Sequence, residues 1–382
     1  MSAIGIRLKP LAVSKKSCFF ALILVALFFS IALPLPREAI CEPASDKTGR
    51  ASVILTDGVG RRVTAPEKVE RIACLYAFSG HVVTLLGRGK DIVAVSFGLK
   101  RDSLLLEICP AIQRALVPKA QGAINIEELL KARPDIVFVP GDVATDPGEM
   151  DQLDKFHIPY LVIDYSSIDT QQAAVELIGK AIGAADRAAA FIAYYQGCIE
   201  RVAKKTADIP ESRRPRLYHS VNEPLRTTID KGLAIDWLRV TGCRNVALGP
   251  QPQRVTDKNY TSLEQVLLWD PEVILTNEPK TADEILRDGR WAMLSAVKRY
   301  QVYSLPIGIS RWGHPGSIET PLAILWTAAK LYPERFADLD MAAETRAFYQ
   351  SFFHYALSEE TVQRMLSGKM ERKPKRKGGP DS

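Results

Sequence analysis

The sequence predicts an α/β protein of two lobes, each with a mostly parallel central sheet flanked by helices, the two joined by one long interlobe helix. Three observations predict it. A helix-proline-strand unit occurs twice, short β-branched runs alternate with helical stretches in both halves, and a proline-free segment rich in Ala, Glu, Lys and Arg lies between them.

The duplicated unit is seen when residues 125–139 are laid over residues 262–276. Asn125 and Ser262 are good N-cap residues, and each opens a short run whose apolar positions fall three and four apart. Pro134 and Pro271 then end the helix at the same ten-residue spacing and launch β-branched runs that read as strands buried on both faces. Two copies about 137 residues apart imply two lobes of similar build.

Around the copies, residues 71–76, 91–96, 136–139 and 160–164 read as strands of the first lobe, and residues 216–221, 273–276 and 301–305 as strands of the second. Residues 171–206 are interrupted only near residues 179–185, and from Ala184 to Thr206 Gly197 is the sole glycine and proline is absent. A stiff helix is expected there, where a flexible linker would carry Gly and Ser. The chain thus divides into residues 1–41 (signal peptide or N-terminal anchor), 52–183 (first lobe), 184–207 (interlobe helix), 213–366 (second lobe) and 367–382 (a basic tail predicted to be disordered).

The N-terminus has a basic stretch ending at Lys15 and Lys16, an apolar run over residues 18–33, then Pro34, Pro36 and small residues, the pattern of an export signal. Cleavage after Ala32 or near residues 39–41 fits, an uncleaved anchor is long enough to span a bilayer, and Cys41 raises lipidation with a poor preceding match. The net charge of +6 is misleading as a guide to partners. Residues 1–40 carry +4 and residues 367–382 another +4, which leaves the body at −2 and removes the support for nucleic-acid binding. Cys74, Cys109, Cys198 and Cys243 contain no C-x-x-C pair, so structural zinc is not expected, and disulfides or buried thiols both remain open.

Several segments in this order carry a family likeness: residues 55–63, Glu70-Arg71-Ile72-Ala73-Cys74, Thr84-Leu85-Leu86-Gly87 followed by residues 91–95, both repeat copies, and Trp312-Gly313-His314-Pro315 leading into residues 321–326. Over residues 52–355 the chain resembles the ABC-importer binding proteins for cobalamin, haem and ferric siderophores, the class with a helical backbone between lobes. The resemblance implies a monomeric, exported protein that captures a metal chelate between its lobes and hands it to membrane permease subunits, without a cofactor of its own. It also implies one acidic docking residue per lobe, which by position are Glu127 and Glu264. The same fold binding molybdate, tungstate or a metal ion is the alternative.

In a clamp of this kind the cargo is touched by loops at the carboxyl ends of strands. Tyr76, His81, Arg254, Tyr260, Arg311, Trp312 and His314 are the candidates, with Lys100, Arg101, Arg226 and Lys258 as further loop cations. Arginine forks match oxyanions and carboxylates, and aromatic faces cover the flat part of a chelate. His81 and His314 are expected to face each other, but two imidazoles without a carboxylate cluster make a sparse metal site, so a prebuilt chelate is favoured over a bare ion. A secreted α/β enzyme is the remaining reading, and no nucleophile elbow, His-Glu-x-x-His or phosphate loop supports it.

Overall fold

The computed structural model describes residues 43–45, 51–119, 122–228, 232–248, 253–255 and 258–370, with backbone alone for 43–45, 253–255 and 258. The expected signal segment and the tail beyond Met370 lie outside the described residues. No described helix is long and apolar enough to cross a membrane.

The first lobe is built on a five-stranded sheet in the order Leu116–Lys119, Ile92–Ser96, Ile72–Cys74, Ile136–Pro140, Tyr160–Ile163, parallel throughout. Leu116–Lys119 escapes the sequence reading because its proline disguises an edge strand. An antiparallel sheet of Pro43–Ser45, Ala51–Thr56 and Arg62–Pro66 precedes it. Asp57, at the end of that hairpin, accepts from Arg61 N at 2.9 Å and Val162 N at 3.2 Å, which moors the hairpin to the main sheet.

The second lobe has a four-stranded parallel sheet ordered Arg244–Asn245, Arg216–Ser220, Val273–Thr276, Val302–Ser304. Between the sheets runs the helix Ala185–Thr206, 22 residues long, entered from the helix Ile168–Ala181 through a turn at Gly183. Phe191, Tyr195, Cys198 and Val202 form its buried face, and one continuous apolar core reaches from Ile72 in the first lobe through this helix to Leu325 and Phe348 in the second. The bridge is therefore packed along its length, not suspended.

The two repeat copies fold alike down to their caps. The helices Ile126–Ala132 and Leu263–Trp269 are seven residues each, too short to persist alone. Asn125 and Ser262 side chains accept from Glu128 N and Gln265 N at 3.0 and 3.2 Å, worth about 1 kcal/mol each. Leu129 and Val266 fill equivalent fully buried positions in two smaller cores, one per lobe. Proline prevents the preceding residue from continuing the right-handed helix. Arg133 and Asp270 close the helices as left-handed C-caps, at φ 46° and 40°.

That turn frees carbonyls, and an arginine at the start of each lobe takes them. Arg71 donates to Ala132 O at 2.6 Å and Arg133 O at 2.9 Å, and Arg216 donates twice to Asp270 O, at 2.8 and 3.0 Å. Asp135 and Glu272, just after the prolines, accept the amides of Arg71 and Arg216 in return.

Residues 367–370, assigned to the tail by sequence, belong to the folded lobe. Gly368 N donates to Met365 O at 2.9 Å, Lys369 N donates to Arg364 O at 2.8 Å, and Met370 packs on the core. Cys74, Cys109, Cys198 and Cys243 are buried free thiols, and burial pushes Cys198 up to about 12 and Cys243 up to about 11. They are packing residues.

Candidate functional site: the cleft between the lobes

In a doubly wound sheet the binding crevice opens where the strand order reverses, outside the carboxyl ends of the strands. In the first lobe the reversal lies between Ile72–Cys74 and Ile136–Pro140, and Tyr76 follows directly. In the second it lies between Arg216–Ser220 and Val273–Thr276, followed by Asn222 and Glu278. Arg311 reaches both of the latter: its Nη1 donates to Asn222 Oδ1 at 3.4 Å and forms a close ion pair with Glu278.

Arg311 sits on residues 306–317, a loop braced from beneath. Glu319 is fully buried and accepts from Ser310 N at 2.8 Å, Ser310 Oγ at 2.9 Å, Ile309 N at 3.3 Å and Tyr349 Oη at 2.5 Å. Burial raises its carboxyl above the ordinary range despite these donors. The loop lies this close only because Gly308 and Gly313 lack side chains: a Cβ would come within 1.8 Å of Glu319 Oε1 at the first and 2.4 Å of Asn277 Oδ1 at the second. His219 Nε2 donates to the same Asn277 oxygen at 3.0 Å, and burial lowers its basicity.

Arg101, at the end of the turn after strand Ile92–Ser96, approaches from the first lobe. Together with Arg311, Glu278 and Lys369 it lines an interlobe cavity of about 450 Å³. Among the described residues, three cations from the two lobes thus surround one space, with a single carboxylate among them.

The first lobe also contributes aromatics. Tyr76, Phe78 and Tyr165 pack with ring centroids 4.6 to 6.2 Å apart. Tyr165 Oη lies 3.0 Å from Tyr76 Oη and donates at 3.1 Å to Pro315 O in the second lobe. Burial raises both phenols, Tyr165 strongly, so both stay protonated donors.

The residues picked from sequence are distributed unevenly. Tyr76 lies just beyond strand Ile72–Cys74 at the strand-order reversal, and Arg311 lines the interlobe cavity. His314 is exposed on the loop with Nδ1 accepting from Gly316 N at 3.1 Å. His81 is a correction: it lies within helix Ala77–Leu85, buried, with Nε2 2.9 Å from Asp102 Oδ2, so it cannot face His314. Trp312 is a second correction, since it is wholly buried under the loop. Tyr260 donates to Glu223 at 2.7 Å and lines a separate cavity of about 800 Å³ formed by the second lobe alone, so it too is displaced from the cleft. Arg254 lies in a two-stranded hairpin opposite Asn259, its side chain outside the described residues.

Glu127 and Glu264 are exposed at matching positions in the first turns of the repeat helices. Glu264 is held below the usual carboxylate range by its own helix amide and by Ser262. Glu128, beside Glu127, turns inward to accept from Val117 N at 3.3 Å.

Sequence reasoning passed over Tyr165, Glu278 and Glu319. Tyr165 was available to the same rule that found Tyr76, because it follows strand Tyr160–Ile163 as closely as Tyr76 follows Ile72–Cys74. Glu319 gave a fainter signal, one carboxylate at the head of an otherwise apolar run.

The comparisons with known proteins agree with this architecture. A family model described as periplasmic binding protein matches residues 72–307. The molybdate-binding protein MolA of Haemophilus influenzae is 26% identical over 82% of this chain and 94% of its own. Its molybdate-bound structure superposes with a TM-score of 0.69 at 25% identity, over 80% of this chain and 99% of that one. The vitamin B12-binding protein of Vibrio parahaemolyticus is 25% identical over 63% of this chain and 82% of its own. CeuE of Helicobacter pylori, in a nickel–histidine complex, shares the fold with a TM-score of 0.65 at 22% identity, over 82% of this chain and 99% of that one. The names of these three proteins carry three kinds of cargo on one fold. The chain belongs to the periplasmic binding protein family, the solute-binding proteins of ABC importers.

Proposed function

We propose that this protein captures a metal-bearing anion, either an oxyanion of the molybdate kind or an anionic metal chelate, in the cleft between its lobes outside the cytoplasmic membrane. One observation carries the reading: Arg101 and Arg311, one from each lobe, line the same cavity. Guanidinium groups recognise oxyanions and carboxylates through paired, charge-assisted hydrogen bonds. An anion between them favours the closed pair of lobes because it is attracted to both. Arg311 is meanwhile held by Glu278, so cargo binding exchanges an internal carboxylate for an external anion. The sequence alone favoured the chelate, but molybdate-binding MolA among the relatives supports the oxyanion equally. A cavity of this size lies in the range of small-molecule sites and admits either.

Delivery to the permease falls to Glu127 and Glu264, exposed on a duplicated unit that presents like charges to a two-fold-related pair of subunits. Exposed charge pairs set register and encounter rate more than affinity. The test is calorimetric titration of the purified protein with molybdate, tungstate, a ferric siderophore, cobalamin and nickel–histidine. Binding of at least one anionic probe tighter than roughly 100 μM, about 5–6 kcal/mol, is expected. Binding of cobalamin alone would contradict the anion reading.

A further inference from the structure

The loop carrying Arg311 is pinned from its own lobe and, by two hydrogen bonds, from the other. Glu319 holds Ile309 and Ser310 from below. From across the cleft, Tyr165 Oη donates to Pro315 O and Gln171 Nε2 donates to Ser317 O at 3.0 Å. Gln171 is in turn fixed by Tyr195 of the bridging helix, so this second crossing belongs to the hinge. Tyr165 stands instead at the cleft, on residues that connect a sheet strand to the next helix.

The hydrogen bonds around Tyr165 have a fixed direction. A carbonyl only accepts, so the Tyr165 proton goes to Pro315 O, and Tyr76 must donate to Tyr165. Tyr76 therefore orients Tyr165, and Tyr165 holds the other lobe. We propose that Tyr165 is a positioning residue that latches the two lobes and sets the placement of the Arg311 loop against the cleft, with Tyr76 as its orienting partner. This rests on the reading of the cleft as the cargo site, but the latch has its own observable.

Spin labels on Lys131→Cys and Leu268→Cys occupy equivalent exposed positions on the two repeat helices, and the four native cysteines in the described residues are buried. Pulsed electron–electron distance measurement on the protein without added solute should give a narrow distribution. In Tyr165→Phe it should broaden and lengthen, in Tyr76→Phe it should do so less, and the double variant should match Tyr165→Phe. Dissociation of molybdate or nickel–histidine, whichever the unaltered protein binds, should quicken about fivefold to tenfold in Tyr165→Phe with association unchanged, the loss of roughly one net hydrogen bond. If the unaltered protein binds neither probe, the cargo reading suffers and the distance distribution still decides the latch. An unchanged distribution in Tyr165→Phe, even with a lowered melting temperature, overturns the proposal, as does a double variant whose effect is the sum of the two singles.

Discussion

The two repeat copies and the two cleft faces diverge in opposite senses. The copies, 137 residues apart in the chain, share cap, buried apolar residue, left-handed exit, proline, arginine brace and exposed glutamate. The cleft faces of the two lobes share almost nothing: Tyr76 and Tyr165 with Arg101 on one side, Arg311, Glu278 and a buried Glu319 on the other. On the function proposed above, duplication is retained where both lobes would meet paired subunits and relaxed where they would jointly enclose one small solute. That reading separates the address of the protein from its cargo.

The comparison can be broken most severely at Glu319. Glu319→Ala removes the shared acceptor of four hydrogen bonds, leaves Ser310 N and the Tyr349 hydroxyl facing a cavity, and should cost about 3–5 kcal/mol in urea unfolding, with the second lobe affected first. The two buried groups beneath the loop also give opposite pH signs. Because the Glu319 carboxyl is raised in the folded protein, the folded state retains a proton that the unfolded chain releases near 4.5, so stability falls as pH rises through that window. His219 is lowered from 6.5, so its contribution is complete above 6.5 and declines as pH falls below it. Glu319→Gln should remove the first slope and His219→Gln the second, both read by denaturation across pH 4 to 8.

A sharper division of labour is tested by charge reversal. Glu127→Lys with Glu264→Lys should abolish uptake by reconstituted importer while leaving solute affinity within about twofold, since neither lines the interlobe cavity. Loss of solute binding in that variant would merge address and cargo again. The smallest effect concerns symmetry: Asn125→Ala and Ser262→Ala should each cost about 1 kcal/mol and agree within a few tenths. A large inequality would mean that the copies are alike in shape but not in energetics.

Most of the scaffold was legible because it obeys short-range rules. Proline after a seven-residue amphipathic run fixes a helix end, and a 22-residue stretch without proline extends as a helix. The cleft was legible only in part. Tyr76 and Arg311 were picked for their positions after strands, whereas His81 looked like a loop residue and lies in the middle of a buried helix, where Asp102, 21 positions away, partners its Nε2. Trp312 and Glu319 were unreadable in their roles for one reason. Whether a loop residue faces the cleft or its own core depends on which side chains close in behind it, here Tyr349, 30 residues beyond Glu319.

The central claim is that one anion is held by both lobes at once. Calorimetric titration with molybdate and with nickel–histidine, comparing the unaltered protein with Arg101→Ala and Arg311→Ala, tests it most directly. Each single variant should lose at least about tenfold in affinity for the probe that binds, and the loss should shrink at high salt. Full affinity in both variants, or a loss confined to one lobe, would contradict the account.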